Sequence, residues 1–190
     1  MVHKERAGTP KLKNIYENQL NQIKQESQKI VHNVPSEIKL KTEDQAVFYS
    51  SWEYSAVRML TFISEFQNID QISHRLNLSQ KRVRQIVDFL IKINLCSEQD
   101  GRIVAEVRST HLENNSITMN HHRNWKLKSL EKTTRSENQE LLYTAPMSIS
   151  KKDQSIIKKL LIDTVKKVAD TAVESEPETL LCLNIDWFEI

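Results

Sequence analysis

The stretch from residue 68 to residue 104 constrains the fold more than any other part of this 190-residue chain. Its first apolar residues recur at helical spacing: Ile69, Ile72 and Leu76. This spacing predicts a short helix over residues 70–76, with Asp70 as its N-cap. Asn77 follows where the chain must turn, and asparagine tolerates a left-handed backbone better than most residues. Leu78 is expected to fill the corner before the next helix.

A second helix is predicted over residues 80–93. Ser79 is a suitable N-cap for it, because its side-chain oxygen can accept a hydrogen bond from an unpaired backbone amide. The helix has an apolar stripe that is expected to be buried: Val83, Ile86, Val87, Leu90 and Ile93. Polar and basic residues remain on its outer face near the N-terminus: Gln80, Lys81, Arg84 and Gln85, with Arg82 on the flank.

A β-hairpin is predicted after the second helix. Short apolar runs at residues 95–97 and 103–107 flank Asp100-Gly101, a pair typical of tight hairpin turns. Arg102 is expected at the hairpin tip, within reach of a DNA phosphate. A helix, a turn, a helix and a hairpin in this order predict a winged helix-turn-helix, whose second helix enters the major groove with its N-terminal residues forward.

Six residues are therefore predicted to contact DNA: Gln80, Lys81, Arg82, Arg84, Gln85 and Arg102. Arginine and glutamine can form paired hydrogen bonds with base edges, and lysine or arginine can bind phosphates. The local charge gives limited support, because residues 79–108 hold six basic and four acidic residues. A solvated helix face is the alternative interpretation, since a fold alone does not determine a function.

The whole-chain composition excludes several function classes. The formal net charge is only +2, so nucleic-acid binding must depend on a local patch. The chain has two glycines and neither a G-x-G-x-x-G nor a G-x-x-x-x-G-K-[ST] pattern, which argues against nucleotide binding by those routes. No H-E-x-x-H, G-x-S-x-G or C-x-x-C motif occurs. We therefore expect no enzyme, no cofactor and no metal site.

Cysteine usage and hydropathy indicate the compartment. Cys96 and Cys182 are the only cysteines, and both lie in apolar runs where we expect them to be buried. The N-terminus has no apolar signal core, and no run of 18 apolar residues occurs. These features predict a cytoplasmic protein without a membrane partner.

The segments before the central stretch are less informative. Residues 1–14 are basic and polar and are expected either to be disordered or to form an arm. Residues 15–31 predict an amphipathic helix, which packs either on its own domain or against a second subunit. Ser51 is expected to cap a helix over residues 52–64, with Trp52 as a large core residue.

The C-terminal part predicts a strand, a long helix and a strand. The strands are expected at residues 141–149 and 180–188, and they either lie parallel to each other or belong to a sheet that a second subunit completes. A basic helix is expected over residues 121–130. Its two adjacent histidines, His121 and His122, point about 100° apart on a helix and cannot chelate one metal ion as an i, i+4 pair can.

Together these expectations define an α+β protein, in which a winged helix-turn-helix precedes a small strand-helix-strand region. We expect an N-terminal arm and helix over residues 1–40, a winged-helix domain over 41–108 and a C-terminal α/β region over 109–190. The predicted function is a DNA-binding transcriptional regulator that binds double-stranded DNA as a homodimer. The alternative is a non-catalytic scaffold with a protein partner, in which the winged helix no longer reads DNA.

The order of elements over residues 40–190 resembles an uncharacterised bacterial family that is classed as a domain of unknown function. Two features carry the resemblance: the motif Trp-x-x-x-Ala-[Ile/Val]-Arg at a helix start, here Trp52, Ala56, Val57 and Arg58, and a final apolar strand that ends in Trp-Phe, here over residues 180–188. Members of that family usually carry an additional N-terminal helix-turn-helix and are presumed transcriptional regulators. The resemblance therefore implies that this chain is a transcriptional regulator. The first 40 residues of this chain show no such second motif.

Overall fold

The computed structural model describes residues 37–38, 40–106, 109–110, 116–133 and 140–190. They are mostly helical, with a small two-stranded antiparallel sheet, which is compatible with the expected α+β class. The elements are β1 (Glu37–Ile38), α1 (Thr42–Phe48), α2 (Trp52–Leu60), a 3-10 turn (Ser64–Phe66), α3 (Ile69–Leu76), α4 (Gln80–Lys92), β2 (Cys96–Gln99), β3 (Arg102–Ala105), β4 (Ser109–Thr110), α5 (Ser116–Thr133) and α6 (Lys151–Glu174). The expected arm and the expected helix over residues 15–31 lie outside the described residues.

Spatial contacts divide the chain into two compact units. Residues 34–145 and 176–190 form one unit, which contains α1 to α5 and the hairpin, and α6 belongs to the other unit. The last 15 residues therefore belong with the helices in the middle of the chain. The sequence, in contrast, predicts three consecutive segments.

The helix, turn and helix at the centre of the first unit form as expected. Asn77 closes α3 in the left-handed conformation, with φ 52° and ψ 47°. The Ser79 side chain accepts a hydrogen bond from the Arg82 backbone amide at 3.2 Å and so caps α4. The expected cap of α3 is wrong, because Asn68 rather than Asp70 accepts from the Gln71 amide, at 2.9 Å. Both residue types suit an N-cap, and α3 begins one residue earlier than expected.

The predicted hairpin is also present. Strands β2 and β3 pair antiparallel, with Gln99 opposite Arg102 and Glu98 opposite Ile103. The two residues of the turn, Asp100 and Gly101, have φ values of 50° and 76°. Positive φ at both central residues is characteristic of a type I′ turn, whose backbone twist matches that of the two paired strands. The small parallel pair β1–β4 is a separate two-stranded sheet.

The core of this unit is built around α4. Its apolar stripe is fully buried together with apolar residues of α2, α3 and the start of the hairpin: Val57, Leu60, Ile72, Val83, Ile86, Val87, Leu90 and Leu95, all 0% exposed. Full burial of each large aliphatic side chain contributes about 1.5–3 kcal/mol. The stripe therefore fixes the rotation of α4, and this rotation determines which of its residues face solvent.

Helix α5 packs on α2 through aromatic and polar contacts. The Trp125 Nε1 donates to Ser55 Oγ at 3.2 Å, and the Trp125 ring lies 6.2 Å from that of Trp52. Trp52 is only half-buried, so its expected role as a core residue is wrong. His121 packs edge-on against Tyr49, with the ring centroids 5.2 Å apart. Burial, together with the neighbouring His122, lowers the pKa of His121.

The structure corrects three further expectations. Helix α2 ends at Leu60 rather than near residue 64, and the Thr61 amide is shared between two carbonyls, as is common at helix ends. Residues 141–149 and 180–188 form no strand, because neither segment takes part in a β-ladder. Cys96 is buried as expected, but Cys182 is exposed.

Substitution of Asn77 tests the left-handed turn. We expect Asn77→Ala to lower the free energy of unfolding by about 1 kcal/mol, because a Cβ without a compensating polar group is unfavourable at positive φ. Asn77→Gly should leave the stability unchanged or raise it, since glycine adopts this conformation freely. Urea denaturation monitored by circular dichroism measures both. Equal stabilities of the two variants would contradict the turn geometry.

Candidate nucleic-acid interface

The N-terminal half of α4 presents a polar surface opposite the buried stripe. Four of the six residues predicted to contact DNA are exposed on its first two turns, and a fifth is half-buried: Gln80, Lys81, Arg84 and Gln85 are exposed, and Arg82 is half-buried. Arg102 is exposed at the start of β3. We call these six residues the α4–hairpin face. The face is present as a surface, and its chemistry depends on which of its groups already have partners.

Arg82 is held by a carboxylate on α2. Its Nε donates to Glu53 Oε2 at 2.8 Å, and its Nη2 lies 2.6 Å from the same oxygen. The guanidinium also lies 5.3 Å from the centroid of the Tyr54 ring. Burial acts to lower the pKa of Arg82, but the hydrogen bond and the charge of Glu53 outweigh burial and raise that pKa. Arg82 thus links α4 to α2 instead of projecting freely into solvent.

Arg84 is also paired, but in a more exposed place. Its Nη1 donates to Glu98 Oε2 on β2 at 3.1 Å and lies 3.7 Å from Asp88 Oδ1 one turn along α4. The side chains of Arg84 and Glu98 are 46% and 41% exposed. Because Glu98 is next to Gln99, which pairs with Arg102, this contact places the hairpin tip beside α4.

The remaining residues of the face differ in whether their side chains have a polar partner. The Gln80 side-chain amide donates to Asp70 Oδ1 on α3 at 2.8 Å. Lys81 and Gln85 have no hydrogen bond or ion pair to another described residue. Because they are four residues apart on one helix, they lie on the same side of α4. Together with Arg102, whose side chain likewise has no hydrogen bond or ion pair to another described residue, Lys81 and Gln85 are therefore the free polar groups of the face within the described part of the chain.

Sequence reasoning missed the acidic partners of this face. Glu53 and Glu98 are 29 and 14 residues from the arginines that they bind. Their charges are visible in the sequence, and the small local surplus of positive charge is the one signal that indicates such neutralisation. No helical or strand period predicts which carboxylate meets which arginine.

The described residues hold neither a cluster of metal ligands nor a membrane-spanning helix. Within them, no group of three or more His, Cys, Asp or Glu side chains is arranged to bind a metal ion. None of the helices in the described ranges is long and apolar enough to span a bilayer.

The chain belongs to a family described as a domain of unknown function (DUF4423), whose model matches residues 32–190. The match confirms the resemblance to an uncharacterised family. No curated protein and no solved structure matches the chain.

A double-mutant cycle tests how firmly Arg82 is held. Because the Arg82–Glu53 pair is mostly shielded from water, we expect the changes Arg82→Gln and Glu53→Gln to give a coupling energy of about 1 kcal/mol. The more exposed Arg84–Glu98 pair provides the matched comparison, with an expected coupling of at most about 0.5 kcal/mol. Urea unfolding of each single and double variant measures the energies. A stronger coupling in the Arg84 cycle would contradict this ranking.

Proposed function

We propose that this member of the DUF4423 family is a DNA-binding transcriptional regulator of winged-helix type, which acts as a homodimer and catalyses no reaction. One observation carries the proposal: the exposed first turns of α4 present Lys81 and Gln85, which have no polar partner among the described residues, beside a hairpin with Arg102 at its tip. In this proposal α4 is the recognition helix and the β2–β3 hairpin is the wing.

The free residues suit the two kinds of contact that a recognition helix makes. Lys81, in the first turn of α4, would bind a backbone phosphate and position the helix. Gln85, one turn further and on the same side, can form paired hydrogen bonds with adenine in the major groove. Arg102 would bind a phosphate beside the groove. Lys81 and Arg102 give affinity, and Gln85 gives sequence preference.

The paired residues have separate roles in this proposal. Arg84 can exchange Glu98 for a phosphate, because an ion pair exposed to this degree contributes only about 0–1 kcal/mol and DNA binding also releases counterions. Arg82 and Gln80 are positioning residues, since they fasten the start of α4 to Glu53 and Asp70. Direct DNA contact by Arg82 and Gln80 remains a prediction from the sequence.

A homodimer is part of the proposal because one recognition helix covers only a short site. Two copies of α4 related by a two-fold axis would enter successive major grooves, roughly 34 Å apart, and bind two half-sites. Each additional correct contact multiplies the preference over non-specific DNA.

A second candidate function is a non-catalytic protein-interaction scaffold. The observation that favours it is the neutralisation of two of the arginines on the α4–hairpin face, Arg82 and Arg84, by carboxylates of the same unit. Such a face carries little net charge and can meet a protein surface. The two candidates differ in salt dependence, because only phosphate contacts make binding weaken steeply as salt is added.

The first test of the proposal is the removal of the free lysine. We expect the native chain to bind a fluorescently labelled random-sequence duplex, with an affinity that falls steeply between about 50 and about 200 mM salt. Lys81→Ala should weaken binding at every salt concentration and reduce the slope of log affinity against log salt by about 1. Fluorescence anisotropy measures both quantities.

Lys92→Ala is the matched control, because Lys92 is exposed in the last turn of the same helix and its loss changes the net charge equally. It should bind like the native chain. Absence of binding at low salt, or equal effects of Lys81→Ala and Lys92→Ala, would overturn the proposed recognition helix. The first of these results would favour the scaffold.

Removal of the competing carboxylate should have the opposite effect. We expect Glu98→Gln to strengthen duplex binding about two- to five-fold, because it frees Arg84 from a partner worth at most about 1 kcal/mol. Glu43→Gln, on the exposed first turn of α1, makes the same change in net charge and should have no such effect. Equal affinities of the two variants in the anisotropy assay would show that Arg84 does not exchange Glu98 for phosphate.

A further inference from the structure

The C-terminal segment over residues 180–186 contacts its own unit through three side chains, those of Leu180, Asn184 and Asp186. Leu180 packs partly against the hydrophobic core. The Asn184 Nδ2 donates to the Trp125 carbonyl oxygen of α5 at 3.3 Å, and Asp186 forms an ion pair with Lys126 of the same helix. The contacts of this segment with α5 are therefore polar ones, made by Asn184 and Asp186.

The odd-numbered side chains of the same segment are apolar and exposed. Leu181, Leu183 and Ile185 are 83%, 55% and 40% exposed. Cys182 Sγ lies 3.8 Å from Asn184 Oδ1, so these two side chains lie on the same side of the segment. The segment thus turns polar groups toward its own unit and aliphatic groups away from it. We call Leu181, Leu183 and Ile185 the aliphatic face.

This orientation is the reverse of the one that a solitary domain needs. A segment that packs only on its own unit gains stability by burying its apolar side chains and leaving its polar ones in water. Here Asn184 and Asp186, together with Leu180, hold the segment while the aliphatic face remains uncovered. The arrangement becomes favourable when a second surface covers that face.

The aliphatic face exposes about 350 Å² of side chain, if a fully exposed large apolar side chain is taken as about 200 Å². A standard protein interface buries about 800 Å² on each partner and has an apolar centre with a polar rim. The aliphatic face therefore has the size of the apolar centre of such a contact.

We propose that the aliphatic face packs against the same face of a second copy of this chain, related by a two-fold axis. Self-association is favoured because the face carries no charge, and because the nearest carboxylate, Asp186, is paired with Lys126 of its own chain. Two identical faces therefore meet without repulsion. Closed two-fold dimers are also the commonest assemblies of identical chains.

The antiparallel arrangement follows from the remaining charges. Residues 176–190, which include the segment, carry four acidic residues and no basic one: Glu176, Glu178, Asp186 and Glu189. If the two segments ran parallel in register, identical carboxylates would lie side by side. An antiparallel contact centred on Leu183 places Glu189 of one copy opposite Pro177 of the other, which separates the like charges.

This inference rests on the proposed function in one respect, since it locates the contact of the homodimer that the proposal requires. Its test uses no DNA, so its failure is distinguishable from failure of DNA binding. The full chain is studied by sedimentation equilibrium over a range of concentrations. The native chain is expected to have the mass of a dimer, and Leu183→Glu that of a monomer, because it places two carboxylates at the centre of the contact.

Leu127→Glu on α5 is the matched control, because Leu127 is likewise 55% exposed in the same unit and lies outside the aliphatic face. It should remain a dimer. Ile185→Glu is a second variant of the face and should also give a monomer. Circular dichroism should show the native helix content in every variant, since each replaced side chain already contacts water.

Three results would overturn the inference. The native chain could be monomeric at all concentrations, or the Leu183→Glu and Ile185→Glu chains could both stay dimeric. The third result is a Leu127→Glu chain that dissociates as fully as the Leu183→Glu chain. If the dimer is lost as expected while Lys81→Ala has no effect on duplex binding, the contact stands and the DNA proposal fails. If duplex binding depends on Lys81 in a chain that is always a monomer, the reverse holds.

Discussion

Burial of the apolar stripe of α4 is the constraint on which the rest of this unit depends. Val83, Ile86, Val87 and Leu90 are completely enclosed by α2, α3 and the hairpin. Burial of one side of a helix fixes its rotation about its own axis, since the helix has 3.6 residues per turn. The residues on the opposite side, which include Lys81 and Gln85, must therefore face solvent. The hydrophobic core thereby sets the direction of the polar groups with which we associate DNA binding.

Ion pairs then modify what this face can bind. Glu53 holds Arg82 against α2, and Glu98 pairs Arg84 with the hairpin. These contacts fix the geometry of the α4–hairpin face and also neutralise part of its positive charge. The shielded Arg82 pair stabilises the position of α4. The exposed Arg84 pair is weak enough to be replaced by a phosphate. Under the proposed function, the balance between neutralisation and exchange decides whether the face binds nucleic acid or protein.

The features that the sequence predicted correctly depend on neighbours within a few residues. The order from α3 to β3, the left-handed Asn77, the Ser51 and Ser79 caps and the Asp100-Gly101 turn all follow from local backbone and hydrogen-bonding preferences. The errors arise where a distant partner is needed. Residues 141–149 and 180–188 have strand-like patterns, but a strand requires a neighbour, and neither segment pairs with another segment among the described residues.

The sequence by itself determined where the helices and the hairpin form, because helix period, capping and turn chemistry act over short distances along the chain. Only the tertiary structure decided which cations stay free, because Arg82 and Arg84 meet carboxylates 29 and 14 residues away. It also decided that Asn184 and Asp186 contact α5 while Leu181 and Leu183 are left without such a contact. An alternating pattern specifies two faces of a segment, but the surrounding structure selects which face contacts the rest of the protein.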